Sequence, residues 1–149
     1  MNIVEEHSFA VSREELWRVL HDTRQMANFI PGCEKLEEVG PDRYAATLKI
    51  GVAAIKGSYT GFVEIRDKEF PSRYTLAVEG SAAPGFVRGL ATLELSDKGN
   101  GQTLLVVKGD AQVGGLIASV GQRFLTGIAR QMTQQLLKNI EKEVLGVAQ

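Results

Sequence analysis

Net charge, cysteine and long apolar runs are all scarce in this 149-residue chain, and each scarcity excludes a class of protein. The 17 basic and 18 acidic side chains nearly cancel, so no general field attracts nucleic acid or acidic substrates. The N-terminus lacks the apolar core of a secretory signal, and no apolar run approaches the roughly 18 residues that cross a bilayer. We therefore expect a cytoplasmic protein that does not bind nucleic acid.

The chain also lacks the residue patterns of metal binding and catalysis. One cysteine, Cys33, excludes an internal disulfide, and with only Lys35 nearby to activate its thiol we interpret it as structural. His7 and His21 lie far apart in sequence, and a histidine acting as a general base would need an oriented partner. No nucleophilic triad order, phosphate-binding glycine loop or paired-carboxylate motif is present. We expect no metal, no cofactor and no catalytic residue.

Helical patterns flank a central region that has the period of strands. Residues 2–11 have the pattern of a strand, and a capping box of Ser12 and Glu15 then begins a first helix. Asp22 can cap a second short helix that ends near Phe29. From Gly115 to Leu145 the period is again 3.6, with apolar residues at every fourth position, which predicts one long helix lying across a sheet.

Between residues 33 and 113 the hydrophobic period is two, which predicts a run of strands. Turn residues at 40–42, 70–72 and 97–101 separate these strands. Such short links permit only antiparallel neighbours. The segment 33–39 alternates poorly, so its pattern supports a strand only weakly.

Small residues recur at the core-facing positions of the predicted strands. They are Ala46, Gly57, Gly61, Gly80, Gly89, Ala91, Gly109 and Ala111. One explanation is that glycine lets a strongly bent sheet coil or bulge. The other is that the missing side-chain volume leaves a hollow for a ligand. We favour a hollow, because the small residues come from several strands and include alanines, which relieve no backbone strain.

Such a hollow would be lined mostly by apolar side chains from the strands and the final helix. The predicted wall comprises Tyr44, Leu48, Tyr59, Val63, Phe86, Leu93, Val107, Phe124 and Ile128. Either tyrosine could donate its phenol to a ligand carbonyl or direct it outwards at the end of the sheet. The apolar segment 81–87 is predicted to be a flexible connection, either overhanging the mouth of the pocket or simply solvated.

Several short motifs carry a family resemblance. They are Glu15-Leu16-Trp17 in the first helix, Ile30-Pro31-Gly32-Cys33-Glu34 after the second, Ile50-Gly51-Val52 ahead of Lys56-Gly57-Ser58-Tyr59-Thr60-Gly61, and Gly114-Gly115-Leu116-Ile117, with Gly121, at the opening of the final helix. Together with the order of elements, they resemble the carbon monoxide dehydrogenase G-subunit family of the START-like, helix-grip SRPBCC superfamily. The resemblance covers essentially the whole chain.

The resemblance implies a fold and a function. The fold is α+β, a single helix-grip domain over residues 1–149, in which a curved antiparallel sheet of about seven strands wraps round a long C-terminal helix. Two short helices follow the first strand, and a hydrophobic tunnel lies between sheet and helix. The implied partner is a molybdenum-containing CO dehydrogenase system. The protein would handle a lipophilic molecule such as a quinone, or bring the enzyme to the inner face of the membrane by peripheral contact.

Three hypotheses for function follow. The first is non-catalytic binding of a hydrophobic small molecule, as an accessory to a redox enzyme. The alternative is a small cyclase- or dehydratase-type enzyme that uses the same cavity. An enzyme would need ionisable groups that point inward, and the predicted inner positions carry almost none, so we expect no enzymatic activity. The third is a docking protein, in which the outer face matters and the hollow is incidental.

Overall fold

The computed structural model describes residues 1–52, 55–82 and 85–148. The elements in chain order are β1 (Asn2–Phe9), α1 (Arg13–His21), α2 (Thr23–Phe29), β2 (Cys33–Gly40), β3 (Arg43–Ile50), β4 (Gly57–Glu69), β5 (Arg73–Ala82), β6 (Gly85–Gly99), β7 (Gln102–Gly114), a 3-10 helix (Leu116–Val120) and α3 (Gln122–Ala148). The strands form one curved antiparallel sheet in the order β1-β7-β6-β5-β4-β3-β2. This confirms the predicted α+β architecture.

The predicted N-caps of the first two helices, Ser12 and Asp22, are both confirmed. The Ser12 hydroxyl accepts a hydrogen bond from the Glu15 amide at 3.2 Å, and α1 begins at the next residue, Arg13. The Asp22 carboxylate accepts from the Arg24 amide at 3.0 Å, so it caps α2. These side chains satisfy amides that the first turn of a helix leaves without intrahelical partners.

Three predicted boundaries differ from the structure. The segment with poor alternation is a complete strand, β2, whose register shifts near Cys33 and again near Gly40 break the period of two. The segment 81–87 is largely strand, because β5 continues to Ala82 and β6 begins at Gly85; residues 83 and 84 lie outside the described residues. The final α-helix begins at Gln122, seven residues later than predicted.

Helix α3 lies over the inner face of the sheet and is fixed at β1 and α2. Arg130 Nε is 3.4 Å from Glu5 Oε1, and the His7 imidazole contacts the Glu141 carboxylate. Asn139 Nδ2 donates to the Phe29 carbonyl oxygen of α2 at 3.2 Å. Because β1 is an edge strand, its inward-pointing charged residues also discourage pairing with another sheet edge. No helix among the described residues is long and apolar enough to cross a membrane.

Two separate hydrophobic clusters occupy the space between the sheet and the helices. The large cluster joins α1, α2 and the C-terminal half of α3 to one end of the sheet; its buried residues include Phe9, Leu16, Trp17, Tyr44, Ile65, Tyr74, Leu93, Leu105, Val107, Leu137, Ile140 and Val144. The small cluster joins the start of α3 to the opposite end; its buried residues are Ile55, Tyr59, Ile117 and Leu125.

His21, at the end of α1, lies in an aromatic environment at the large cluster. Its ring stacks on Trp17 at 4.3 Å between centroids and meets the edge of Tyr74 at 4.5 Å. Its Nδ1 hydrogen-bonds the Trp17 carbonyl oxygen at 2.8 Å, which makes Nδ1 the protonated nitrogen. The Nε2 atom is buried and has no partner among the described residues. Burial lowers the pKa of His21 below its ordinary value of 6.5, outweighing the opposing effect of the Trp17 carbonyl.

This burial predicts a pH dependence of stability. The unfolded chain binds a proton at His21 near pH 6.5, whereas the folded protein resists it, so the contribution of His21 is complete above pH 6.5 and declines as the pH falls below it. We expect the free energy of unfolding, measured with urea at about pH 7.5 and about pH 5, to fall more in the wild type than in His21→Phe. Equal acid sensitivity in the two proteins would show that His21 is not the group responsible.

Candidate ligand-binding site

The strand register identifies which side chains share the inner face of the sheet. Val63 lies opposite Tyr44 on one side and Val78 on the other, and Leu48 lies opposite Tyr59. Directly opposed residues in an antiparallel pair point to the same face. Tyr44 packs in the large cluster with residues of α3, so this face is the one that the helix covers.

Between the two clusters the inner face is apolar but incompletely packed. Leu48, Val63 and Val78 are partly exposed, and among the described residues they pack against neither cluster. The same holds for Met132, which lies on the inward stripe of α3. We define the candidate hollow by these four side chains together with Gly80 and Gly109, the inner-face glycines at which a Cβ atom would meet no close neighbour.

The glycines of the inner face divide between the two explanations that the sequence left open. A Cβ atom at Gly61 would overlap the Glu79 carbonyl oxygen and lie 2.7 Å from the Gly80 Cα, so glycine there permits a close approach of two strands. A Cβ at Gly89 would lie 2.9 Å from the Asp110 carbonyl oxygen, so glycine there likewise permits a close approach of two strands. At Gly80 and Gly109 the nearest atoms would be 3.8 and 3.9 Å away, so a Cβ atom there would make only ordinary van der Waals contacts and neither position requires glycine for a close approach.

The predicted wall residues on the strands fall into two groups. Leu48 and Val63 point to the inner face, are partly exposed and pack against neither cluster. Tyr44, Leu93 and Val107 are buried in the large cluster, where protein side chains already surround them. The three are therefore placed in the filled core beside the hollow, since α1 and α2 extend the packing over that end of the sheet.

At the other end, Tyr59 is buried in the small cluster, and Ile128 packs against it. The Tyr59 hydroxyl donates to the Ile55 carbonyl oxygen at 2.8 Å, so its phenol already has a partner within the protein. Phe124, at the beginning of α3, is 45% exposed. Of the predicted residues at this end, Tyr59 and Ile128 therefore belong to the packing of the small cluster, and Phe124 is largely exposed.

Phe86 is the predicted wall residue that the structure places on the wrong face. In β6, Val87, Gly89, Ala91 and Leu93 alternate inward, so Phe86 points to the outer face. It lies opposite Gly114 and is 41% exposed. In a loop over residues 81–87 the Phe86 side chain could point to either face. Because β6 is one continuous strand, the side chains of residues 86 and 93, an odd number of positions apart, point to opposite faces.

The ionisable side chains near the inner face are few and mostly paired. Glu5 and His7 are each bound by a residue of α3, and Glu38 is exposed on the edge strand β2. Burial, followed by the charges of Glu38 and Asp42, raises the pKa of the Tyr44 phenol. Among the described residues, no three histidine, cysteine, aspartate or glutamate side chains are grouped as a metal site would require. The hollow therefore offers shape and apolar surface rather than acid–base chemistry.

Two open grooves, of about 420 and 380 Å³, lie on the outer face instead. Both contain Phe62, Glu79 and Arg88, and the Arg43 guanidinium lies 4.4 Å from the centre of the Phe62 ring. Their charged walls and open shape do not provide the enclosed apolar surroundings that a lipophilic molecule needs. We therefore take the hollow, and not these grooves, as the candidate site.

Sequence reasoning did not select Val78 and Met132 as wall residues, although both carried the required signal. Val78 alternates inward with Leu76 in β5, and Met132 belongs to the stripe of α3 with Ile128 and Leu136. Their position between the clusters depends on which neighbours are packed by other elements, and this information is absent from a local pattern.

Solved structures share this architecture over nearly the whole chain. A conserved protein from Geobacillus kaustophilus is 36% identical, with a TM-score of 0.94 over 98% of this chain and 96% of that one. A START superfamily protein from Mycobacterium smegmatis is 14% identical, with a TM-score of 0.78 over 98% of each chain. An aromatase/cyclase from Streptomyces sp. R1128 is 18% identical, with a TM-score of 0.73 over 100% of this chain and 96% of that one.

The similarity to the last two structures, at this level of identity, concerns the fold alone. None of the curated proteins matches this chain. A family model does: that of the carbon monoxide dehydrogenase G-subunit (CoxG) matches residues 6–145. The chain, with its START-like fold, belongs to the carbon monoxide dehydrogenase G-subunit (CoxG) family.

Proposed function

We propose that this chain, as a single helix-grip domain over residues 1–149, holds a lipophilic small molecule in the hollow without catalysing a reaction. Its role would be that of an accessory protein in a CO dehydrogenase-type molybdenum redox system. The observation that supports this proposal is the gap between the two clusters, where Leu48, Val63 and Val78 are partly exposed on an inward-facing surface.

An empty gap of this kind is costly for a protein to keep. Each methyl-sized void costs about 1 kcal/mol, and each Å² of apolar surface removed from water contributes roughly 25 cal/mol. A guest that covers the exposed parts of Leu48, Val63, Val78 and Met132 would recover that free energy. The family and the fold are those expected of a protein that binds hydrophobic ligands.

The wall of the hollow also restricts the charge of the guest. Its defining residues are aliphatic side chains, a methionine and two glycines, and the inward-facing ionisable side chains of β1, Glu5 and His7, already have partners on α3. A carboxylate or phosphate buried there would lose its hydration without gaining a cation, which is strongly unfavourable. We therefore propose an uncharged guest, for which a quinone is a suitable example.

The cyclase or dehydratase alternative is less consistent with this wall. General acid–base catalysis needs a titratable group within hydrogen-bond reach of the substrate. The Tyr59 phenol is bound to the Ile55 carbonyl, and Glu5 and His7 are bound to α3. An enzymatic role would have to break one of these interactions when substrate binds.

Filling the hollow from the protein side tests the proposal. In Gly80→Val the new Cβ atom would lie 3.8 Å from the Thr60 carbonyl oxygen, which is an ordinary contact. We therefore expect the free energy of unfolding to be unchanged or higher, because valine favours strands and loses less backbone entropy than glycine. Binding of the neutral probe N-phenylnaphthylamine, followed by fluorescence titration, should weaken by about tenfold or more as the valine occupies its space, equivalent to ~1.4 kcal/mol.

Ala77→Val is the matched control, since position 77 of the same strand faces outward opposite Glu64 and Leu90. This variant should bind the probe like the wild type. A loss of about 1–3 kcal/mol of stability in Gly80→Val would show instead that the interior is already filled, because extra carbon atoms in a packed core cost that much. Unchanged probe binding in Gly80→Val would contradict binding in the hollow and favour a docking protein.

The redox partner and the guest can be identified together. We expect the protein isolated from its own host under mild conditions to retain an uncharged hydrophobic adduct in native mass spectrometry and to co-purify with a molybdenum-containing dehydrogenase. The Gly80→Val protein, expressed in the same host, should lack the adduct. A charged adduct, or an enzyme without molybdenum as the consistent partner, would argue against this part of the proposal.

Peripheral contact with a membrane is supported by the surface at the end of the protein that holds the small cluster. Leu116 is 74% exposed and Phe124 45% exposed, and each adjoins a buried member of the cluster, Ile117 or Leu125. Arg123 is also exposed here. Exposed apolar side chains beside a cation are suited to the interfacial layer of an anionic bilayer.

Vesicle flotation tests this contact. We expect the wild-type protein to float with vesicles that contain about one-third phosphatidylglycerol, and Leu116→Glu combined with Phe124→Glu to lose most of that association, since acidic residues are repelled by the anionic surface. Exposed apolar Val39, on β2 at the end of the sheet where Tyr44 packs in the large cluster, provides the control variant Val39→Glu, which should float like the wild type. Equal flotation of all three proteins would contradict contact at this end.

A further inference from the structure

We propose that the segment Gly115–Gly121 is a strap that closes the hollow, with the Ile117 side chain as its plug, and that the strap opens as a unit to exchange the guest. The inference rests on the proposed function for the identity of the guest. The geometry of the strap is independent of it. Both ends of the segment, its internal bonds and its one buried side chain support this role.

Each end of the strap is a glycine in a backbone conformation that other residues rarely adopt. Gly115 has φ of 77° and Gly121 has φ of 98°, and a 3-10 helix, Leu116–Val120, lies between them. Because glycine reaches both signs of φ at little cost, these two positions can absorb rotation of the segment between them.

The chain is fixed on both sides of these hinges. Before the strap, the Phe86 ring packs against the backbone at Gly114, where a Cβ atom would overlap it. After the strap, the Leu125 amide of α3 donates to the Gly121 carbonyl oxygen at 3.1 Å, and Leu125 is buried. Motion would therefore be confined to the segment between the glycines.

Apart from the bond between the Gly121 carbonyl and α3, the hydrogen bonds described for the strap are internal. The Ala118 amide donates to the Gly115 carbonyl at 3.1 Å, the Gly121 amide to the Ala118 carbonyl at 3.4 Å, and the Ser119 hydroxyl to the Leu116 carbonyl at 2.6 Å. Opening the strap as a unit would preserve all three bonds. The contact that opening must break is apolar.

That contact is centred on Ile117, which is 2% exposed between exposed neighbours, Leu116 and Ala118. Its side chain enters the small cluster with Ile55, Tyr59 and Leu125. A Cβ at Gly85 would lie 2.8 Å from the Ile117 Cγ1, so the plug also fits closely against the start of β6.

The small cluster is the end of the hollow that can open with least disruption. The large cluster is built on α1, α2 and α3, whereas two of the four buried residues of the small one, Ile117 and Ile55, come from short segments between the main elements. Moving the Ile117 side chain from the interior into water costs a few kcal/mol of free energy. An open state that is less stable by this amount is populated at about 0.1–10%. Such a minor open state is sufficient for exchange of a guest.

Thiol labelling measures the opening without any ligand. Three variants are compared in a Cys33→Ser background: Ile117→Cys, Ala118→Cys as the exposed reference on the strap, and Leu125→Cys as the buried reference on α3. With iodoacetamide, we expect the Ile117→Cys thiol to react about 10–1,000-fold more slowly than the Ala118→Cys thiol, in proportion to the open population. It should still react at least about tenfold faster than the Leu125→Cys thiol, whose exposure requires wider unfolding.

Probe kinetics connect the opening to the guest. In stopped-flow mixing with N-phenylnaphthylamine, Ile117→Ala should raise both the association and the dissociation rate constants by about tenfold, because the closed state loses its plug. The exposed substitution Ala118→Ser, in the same strap, should leave both rate constants unchanged. A fall in affinity with an unchanged association rate constant would mean that Ile117 is only a wall residue, and would overturn the proposal.

The two experiments separate failure of the strap from failure of the binding function. If the Ile117→Cys and Leu125→Cys thiols react equally slowly, the strap does not open locally and the proposal is wrong, even where the probe binds. If the wild-type protein fails to bind the probe while the Ile117→Cys thiol reacts in the expected order, the strap is supported and the hollow as a binding site is not.

Discussion

The close approach of β4 and β5 at Gly61 and Gly80 is the constraint on which the rest of the structure depends. Only glycine at position 61 avoids overlap with the Glu79 carbonyl, so the two backbones can come together there and the sheet can bend. A bent sheet leaves an inner face that one helix cannot fill along its whole length. Helix α3 is fixed at β1 and α2, and Leu48, Val63 and Val78 are left incompletely covered beneath it.

This arrangement separates two roles that glycine plays on one face. At Gly61 and Gly89 a side chain would meet backbone atoms of the neighbouring strand, so the absence of a side chain shapes the sheet. At Gly80 and Gly109 a side chain would meet only ordinary contacts, so its absence contributes volume to the hollow. The bend and the hollow are therefore not competing explanations. The first creates a concave face, and the second keeps part of that face empty.

Much of the fold could be predicted from the sequence because its signals are local. The caps Ser12 and Asp22 and the change of hydrophobic period each depend on residues close in the chain. The candidate site was predictable only in part. Leu48 and Val63 line the hollow, but Tyr44 lies in a filled core, because packing by α1 and α2 is a long-range property. The face of Phe86 could not be predicted, because strand parity requires knowing where β6 begins.

The late start of α3 connects the fold to the proposed exchange of a guest. A helix continuous from Gly115, as the apolar spacing predicted, would make Ile117 part of one rigid rod with the rest of α3. The positive φ of Gly121 interrupts that rod, so the residues before it form a short independent segment with a single buried side chain. An apolar hollow without a movable closure would be kinetically sealed or permanently open to water. A glycine-bounded segment that opens at the small cluster would avoid both outcomes, and it replaces about two turns of the predicted helix.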